Sequence, residues 1–153
     1  MPTIRSASPA DAETIASFNE AMATETEGKT LDPETIRAGV RGLFARPDLG
    51  FYLVAEAGGR IVGQLMITYE WSDWRSGLVW WIQSVYVRPE IRGKGVYRAL
   101  HAHVRAMAKR AGGVRGFRLY VDSENAAARA TYRRLGMRET DYRLFEEIWE
   151  ETG

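Results

Sequence analysis

The stretch Val85-Tyr86-Val87-Arg88-Pro89-Glu90-Ile91-Arg92-Gly93-Lys94-Gly95-Val96 holds the residue types most able to do chemistry. It runs from β-branched and aromatic residues, through a basic glycine-bearing turn, into a helical stretch. Glycines let a backbone approach an anion closely and turn successive N–H groups toward it. A helix N-terminus adds unpaired donors and a partial positive charge. Arg88, Arg92, Lys94 and Arg98 add full charges. The chemistry this favours is phosphate binding. Two familiar phosphate loops do not fit. A P-loop requires Ser or Thr after its Gly-Lys, and Lys94 is followed by Gly95; a dinucleotide fingerprint requires a third glycine where Arg98 stands. The plain alternative is a glycine turn with solvated charges.

The elements that must position this turn can be read from periodicity. Residues 3–7 form a short strand. Ser8-Pro9-Ala10-Asp11 starts a helix, with Ser8 as cap and Pro9 in the first helical position. Asp32-Pro33 repeats the signal, and Ile36, Val40, Leu43 and Phe44 form the apolar stripe of a second helix, which Pro47 stops. Strands at 51–55 and 61–71 flank Gly58-Gly59, a pair suited to a tight hairpin turn. A second hairpin leads into 79–88, whose composition suits a central strand. A third helix covers 95–111 and ends at Gly112-Gly113. A strand at 117–121, a fourth helix capped by Asp122-Ser123 and ending at Gly136, and a last strand at 142–149 complete the order β-α-α-β-β-β-α-β-α-β. This is an α/β domain around a mixed sheet, and 153 residues suit one domain over positions 1–153.

Composition narrows the function. The chain has no cysteine, so disulfides, thiolate metal sites and a cysteine nucleophile are excluded. A formal net charge of +1 lacks the basic excess of a nucleic-acid binder. The first ten residues lack a signal-peptide pattern, and the apolar run at 78–82 is too short to span a bilayer. The expected location is the cytoplasm.

Two blocks together resemble the GNAT superfamily of acetyl-CoA-dependent N-acetyltransferases. Its signature, Arg/Gln-x-x-Gly-x-Gly/Ala, aligns with Arg92-Gly93-Lys94-Gly95-Val96-Tyr97. Tyr97 departs from the small residue the family prefers. The second block is Asp122-Ser123-Glu124-Asn125-Ala126-Ala127-Ala128-Arg129, continuing through Tyr132 to Leu135-Gly136-Met137. Asn125 and Tyr132 lie two helical turns apart and share a face. The resemblance implies acetyl-CoA in a gap between the strands near Val85 and Leu119. Its pantetheine would pair with the backbone of Val85, Tyr86 and Val87. Its pyrophosphate would sit on Arg92, Gly93, Lys94, Gly95, Val96 and Tyr97, with Arg98 close by, and Asn125 and Tyr132 would face the cofactor. It also points to a homodimer.

Amine acylation needs a base for the amine, a donor for the carbonyl oxygen, an acid for the leaving thiolate, and attack geometry. Tyr132 suits the acid, since a phenol with a pKa near ~10 is protonated at neutral pH. The resemblance implies the Val85 N–H as the carbonyl donor. Glu25, Glu27, Glu70 and Asp73 are candidate bases. A hairpin symmetric about Trp74-Arg75 puts Glu70 opposite Val79, away from the phosphate turn, which favours Glu70 and then Glu25.

Trp71, Trp74, Trp80 and Trp81 crowd that hairpin as packing residues or as an aromatic wall for a cationic amine. Strand alternation places Trp80 and Trp81 on opposite faces. His101 and His103 diverge on their helix and cannot share a metal; they read as surface or internally satisfied histidines. Gln83 either orients the acceptor or a water, or satisfies a neighbour. The expected acceptor is a small-molecule or protein amine, with no nucleic-acid or membrane partner. Two rival readings stand: a catalytically weak acyl-CoA-binding sensor or partner module, and a nucleic-acid domain using the basic cluster from Arg88 to Arg98.

Overall fold

The computed structural model describes residues 1–149. The chain forms two compact units, Met1–Tyr120 and a second beginning at Val121.

The first unit contains β1 (Thr3–Ser6), α1 (Ala12–Glu27), α2 (Pro33–Ala45), β2 (Gly50–Ala57), β3 (Arg60–Ser72), β4 (Gly77–Val87), α3 (Val96–Ala111) and β5 (Val114–Arg118). Single 3-10 turns, Pro9–Asp11 and Pro89–Ile91, lead into α1 and toward α3. The capping signals act as their chemistry dictates. Asp32 accepts from the Thr35 N–H at 3.0 Å, and Asp11 accepts from the Ser8 N–H at 2.8 Å. Gly58 and Gly59, with φ of 60° and 77°, make the two-residue turn between Ala57 and Arg60.

The five strands lie in sequence order. β1 to β4 are antiparallel, and β5 runs parallel to β4. Strand alternation divides the core. Leu53, Ala55, Leu65, Ile67, Trp80 and Ile82 pack with Val96, Leu100 and Val104 of α3. Tyr52, Val54, Ile61 and Tyr86 pack with Ile15, Phe18, Val40 and Leu43 of α1 and α2. The sheet is therefore covered by α3 on one face and by α1 and α2 on the other. Each fully buried aliphatic side chain contributes about 1.5–3 kcal/mol of transfer free energy, so both layers are strongly held.

The unit from Val121 contains α4 (Ala126–Arg134). Asn125 caps it, accepting from the Ala128 N–H at 3.1 Å, and Gly136 follows its end at φ 92°.

Three expected elements are corrected. The strand expected at 117–121 is Val114–Arg118, because Gly113 already joins the sheet, its carbonyl accepting from the Leu78 N–H at 2.8 Å. The cap of the fourth helix is Asn125 rather than Asp122-Ser123, because Asp122 instead accepts from the Glu124 N–H at 2.8 Å and closes a turn before the helix. The strand expected at 142–149 does not form. A strand needs a ladder partner, none of the described residues pairs with these, and Tyr142, Leu144, Phe145, Ile148 and Trp149 are exposed.

Candidate active site

The site begins with an irregularity in the central strand. From Ser72↔Gly77 to Met66↔Gln83 the β3–β4 ladder is regular, but Gln64 pairs with Tyr86. One residue of β3, Leu65, therefore faces two of β4, Ser84 and Val85: a β-bulge. Ser84 takes a left-handed backbone, φ 51°. On the other edge of β4, pairing with β5 covers only Leu78 to Trp81. Within the first unit the two strands part beyond Trp81↔Arg118, leaving the edge of β4 at Val85, Tyr86 and Val87 without a β5 partner.

β4 leads straight into the phosphate-type turn. Gly93 and Gly95 both take left-handed φ angles, 78° and 86°, and a Cβ at either would meet open space. Ala99 N–H to Gly95 O opens the α3 ladder, so the amides from Gly93 to Val96 precede it as donors for an external anion. Lys94 and Arg98 are exposed beside them. Open space at left-handed glycines, early helix amides and a strand edge without a partner fit a pyrophosphate-bearing thioester in extended form.

Arg92 lies differently. Its Nε donates to the Val87 carbonyl at 2.8 Å, its Nη2 to Glu25 at 2.8 Å, and its guanidinium sits 5.3 Å from the Tyr86 ring centre. It joins the last turn of α1 to the end of β4. The Tyr86 hydroxyl also reaches Glu25, at 3.5 Å, while its ring packs on Phe18 at 4.8 Å. Burial and the adjacent Glu25 carboxylate push the Tyr86 phenol up. The Tyr97 hydroxyl meets His101 Nδ1 at 3.2 Å, and His101 packs edge-on against Phe117. His101 is thus buried and satisfied, and burial pushes its pKa down. Among the described residues no group of three His, Cys, Asp or Glu could hold a metal.

Toward the hairpin end of the β3–β4 ladder, Glu70 of β3 lies opposite Val79 of β4 as hairpin symmetry requires. Its carboxylate accepts from Trp81 Nε1 at 2.7 Å, and Arg118 Nη1 reaches both its oxygens at 2.8–2.9 Å. The Trp81 N–H and then the Arg118 guanidinium hold the carboxyl below its ordinary range. Gln83, next along the same face, donates to Thr68 at 2.9 Å. Trp81 stands 6.0 Å from Tyr120, whereas Trp80 is buried on the α3 face with Phe51, Tyr69 and Phe117. Trp71 and Trp74 are exposed. Glu27 pairs loosely with Lys29 at 3.7 Å, and Asp73 is exposed in the hairpin turn. In the second unit, Tyr132 and Asn125 stand two turns apart along one side of α4, and burial pushes the Tyr132 phenol up.

Sequence reasoning missed Ser84, Gln64 and Arg118. A glutamine inside the apolar run of residues 61–67 is the available signal for Gln64; nothing local marks Ser84 as left-handed or pairs Arg118 with Glu70.

The family profile "Acetyltransferase (GNAT) family" matches residues 14–137. No curated protein matches the chain. Among solved structures, a possible acetyltransferase from Clostridium difficile 630 is 42% identical, with 99% of each chain covered and a TM-score of 0.89. A predicted acetyltransferase with acetyl-CoA from Clostridium acetobutylicum shares the fold at 19% identity, TM-score 0.79 and 96% coverage of each chain. So does an aminoglycoside acetyltransferase from an uncultured soil metagenomic sample, at 18% identity, TM-score 0.73 and coverage of 97% of this chain and 99% of that one. Family match, fold and glycine turn agree: the chain belongs to the GNAT acetyltransferase family, whose members transfer an acetyl group from acetyl-CoA.

Proposed function

We propose that residues 1–153 act as one N-acetyltransferase domain that moves an acetyl group from acetyl-CoA to an amine by direct attack. The observation that carries the reading is the bulge at Ser84-Val85, on the stretch of β4 past its last pairing with β5, followed by the glycine turn opening α3. On this reading the backbone of Val85, Tyr86 and Val87 pairs with the pantetheine. Gly93, Lys94, Gly95, Val96 and Tyr97 receive the pyrophosphate, with Arg92, Arg98 and Asn125 as further cofactor contacts carried over from the family pattern.

The amine nitrogen forms a bond to the thioester carbon, and the carbon–sulfur bond breaks. The Val85 N–H donates to the carbonyl oxygen as it gains charge. Tyr132 gives its phenol proton to the departing thiolate and is reprotonated from solvent. Its raised pKa keeps that proton in place at neutral pH. The amine's proton goes to Glu70 through water, with Glu25 as the second carboxylate available. Glu70 is ionised through the neutral range, so it can accept and pass on a proton, though its low basicity suits a relay better than a store.

The acceptor is a small-molecule or protein amine, met on the face that carries Glu70, Trp81 and Gln83. An indole face and a carboxylate favour a cationic amine. We place the protein in the cytoplasm as a homodimer, with no nucleic-acid or membrane partner; among the described residues no helix is long and apolar enough to cross a membrane. The test is thiol release from acetyl-CoA across polyamines, aromatic amines, lysine-like peptides and acidic amino acids. Turnover with at least one amine is expected. Acetyl-CoA binding without turnover on any amine would leave the acyl-CoA-binding module instead.

A further inference from the structure

We infer that Gln64 is a positioning residue for acetyl transfer: its amide holds the Ser84 carbonyl and keeps β4 bulged where the thioester carbonyl is to be bound. This rests on the acetyl-CoA reading of the bulge.

Gln64 is fully buried in the middle of β3. Its Nε2 donates to the Ser84 carbonyl at 3.1 Å, while its Oε1 has no hydrogen-bond partner among the described residues. A half-satisfied amide in a core is worse for stability than an apolar side chain of the same shape, because the orphaned oxygen loses water and gains nothing. The orphaned oxygen offsets what the bond to Ser84 gains, so stability alone gives glutamine little advantage here. What the side chain does hold is the strained residue across the ladder. Ser84 and Ser76 are the non-glycine residues with positive φ among those described. Ser76 sits in a hairpin turn, where such angles are ordinary, whereas Ser84 lies inside a central strand, where its angle must be imposed by its surroundings.

The register shows what depends on it. Without the bulge, the ladder that pairs Met66 with Gln83 would continue to pair Gln64 with Val85 instead of Tyr86. A one-residue slip turns every following side chain to the other face. Val85 and Val87 now pack on the α3 side and Tyr86 on the α1 side. The slip would reverse them and re-aim the Val85 N–H. The Gln64–Ser84 bond closes at this step in the register.

The test compares wild type with Gln64→Met and Gln64→Leu by thermal melting, by the melting shifts given by CoA and by acetyl-CoA, and by kcat and KM with one fixed amine. Both variants should fold with a Tm at or modestly below wild type, because the orphaned Oε1 is removed while the Ser84 carbonyl loses its donor. The shift given by CoA should shrink but remain, since the glycine turn that would hold the pyrophosphate is untouched while the strand that would pair with the pantetheine is misaligned. The kcat should fall by about tenfold or more, as expected when a reacting group is misplaced. Adding Ser84→Gly to Gln64→Met should recover most of that loss, because glycine adopts a left-handed φ unaided. The inference is overturned if a folded Gln64 variant keeps wild-type kcat, if neither variant folds, or if a folded double variant recovers nothing. A wild-type protein that neither releases thiol nor shifts with acetyl-CoA would instead bring down the acetyl-transfer reading itself.

Discussion

Glu25, in the last turn of α1, accepts a hydrogen bond from Arg92 Nη2 at 2.8 Å, so the turn that opens α3 is tied to α1 past the end of β4. Both side chains are more than a third exposed, so the pair adds little to stability. Its consequence is competition: a phosphate on Arg92 must draw the guanidinium from Glu25. Glu25→Gln should leave Tm nearly unchanged and lower the KM for acetyl-CoA by about two- to fivefold, the scale of a surface charge contact. Steady-state kinetics at low and high salt would measure it. An unchanged KM would mean that Arg92 serves as a strut to the Val87 carbonyl and takes no part in phosphate binding.

Gly95 precedes α3 with φ 86°, and a side chain there would extend into open space before the first helical amides. Gly95→Glu should abolish the rise in Tm that acetyl-CoA gives, since it sets bulk and negative charge against the phosphates. Gly95→Asn is the control for backbone strain, because asparagine tolerates the left-handed region. It should fold and retain most of the shift. Scanning fluorimetry with each protein decides the matter; a full shift in folded Gly95→Glu would place the cofactor elsewhere.

Tyr132 is the candidate acid. Tyr132→Phe should lower kcat by ~10²-fold or more with acetyl-CoA affinity largely kept, the usual scale for a positioned proton donor. Burial raises this phenol, so it stays protonated to higher pH than a free tyrosine. Any alkaline limb in kcat owed to Tyr132 must therefore lie above the ordinary tyrosine value of ~10 and vanish in the phenylalanine variant. A wild-type rate in Tyr132→Phe, with chemistry rate-limiting, would make Tyr132 a packing residue.

Glu70 and Arg118 give a prediction with a defined sign. The Trp81 N–H and the Arg118 guanidinium both favour the ionised carboxylate, so Glu70 titrates below its ordinary range. If Glu70 takes the amine's proton, activity falls as pH drops through that depressed value. Arg118→Met removes one of the two stabilising partners, so the acidic limb of kcat/KM should move to higher pH. Glu70→Gln should erase the limb. A limb that stays in place in Arg118→Met and persists in Glu70→Gln belongs to another group, and Glu25 becomes the base to test. Arg118 also offsets the Glu70 charge, so its removal should sharpen preference for cationic over acidic amines on the same panel.

Much of the frame is written in local chemistry. Asp32-Pro33 and Gly58-Gly59 act through their own caps and turn angles, and the symmetry of the second hairpin suffices to set Glu70 against Val79. Such signals survive because they depend on residues a few positions apart. The strand at 142–149 fails for the opposite reason: alternation and bulk describe a segment able to pair, and pairing requires a partner that no local pattern supplies. Asp122 could cap a helix as well as Asn125 does, and only the turn it closes with Glu124 decides between them.

The sequence by itself determined the place of the glycine turn, a basic glycine-bearing stretch between a strand and a helix, because such a signal acts over a few residues. Only the tertiary structure decided what each polar side chain faces. Gln64 meets Ser84 across a register step, Arg118 meets Glu70 from the parallel strand, and Arg92 turns toward Glu25 at the end of a helix more than sixty residues earlier. These contacts join residues distant in the chain, and strand order and register bring them together rather than any spacing in the sequence.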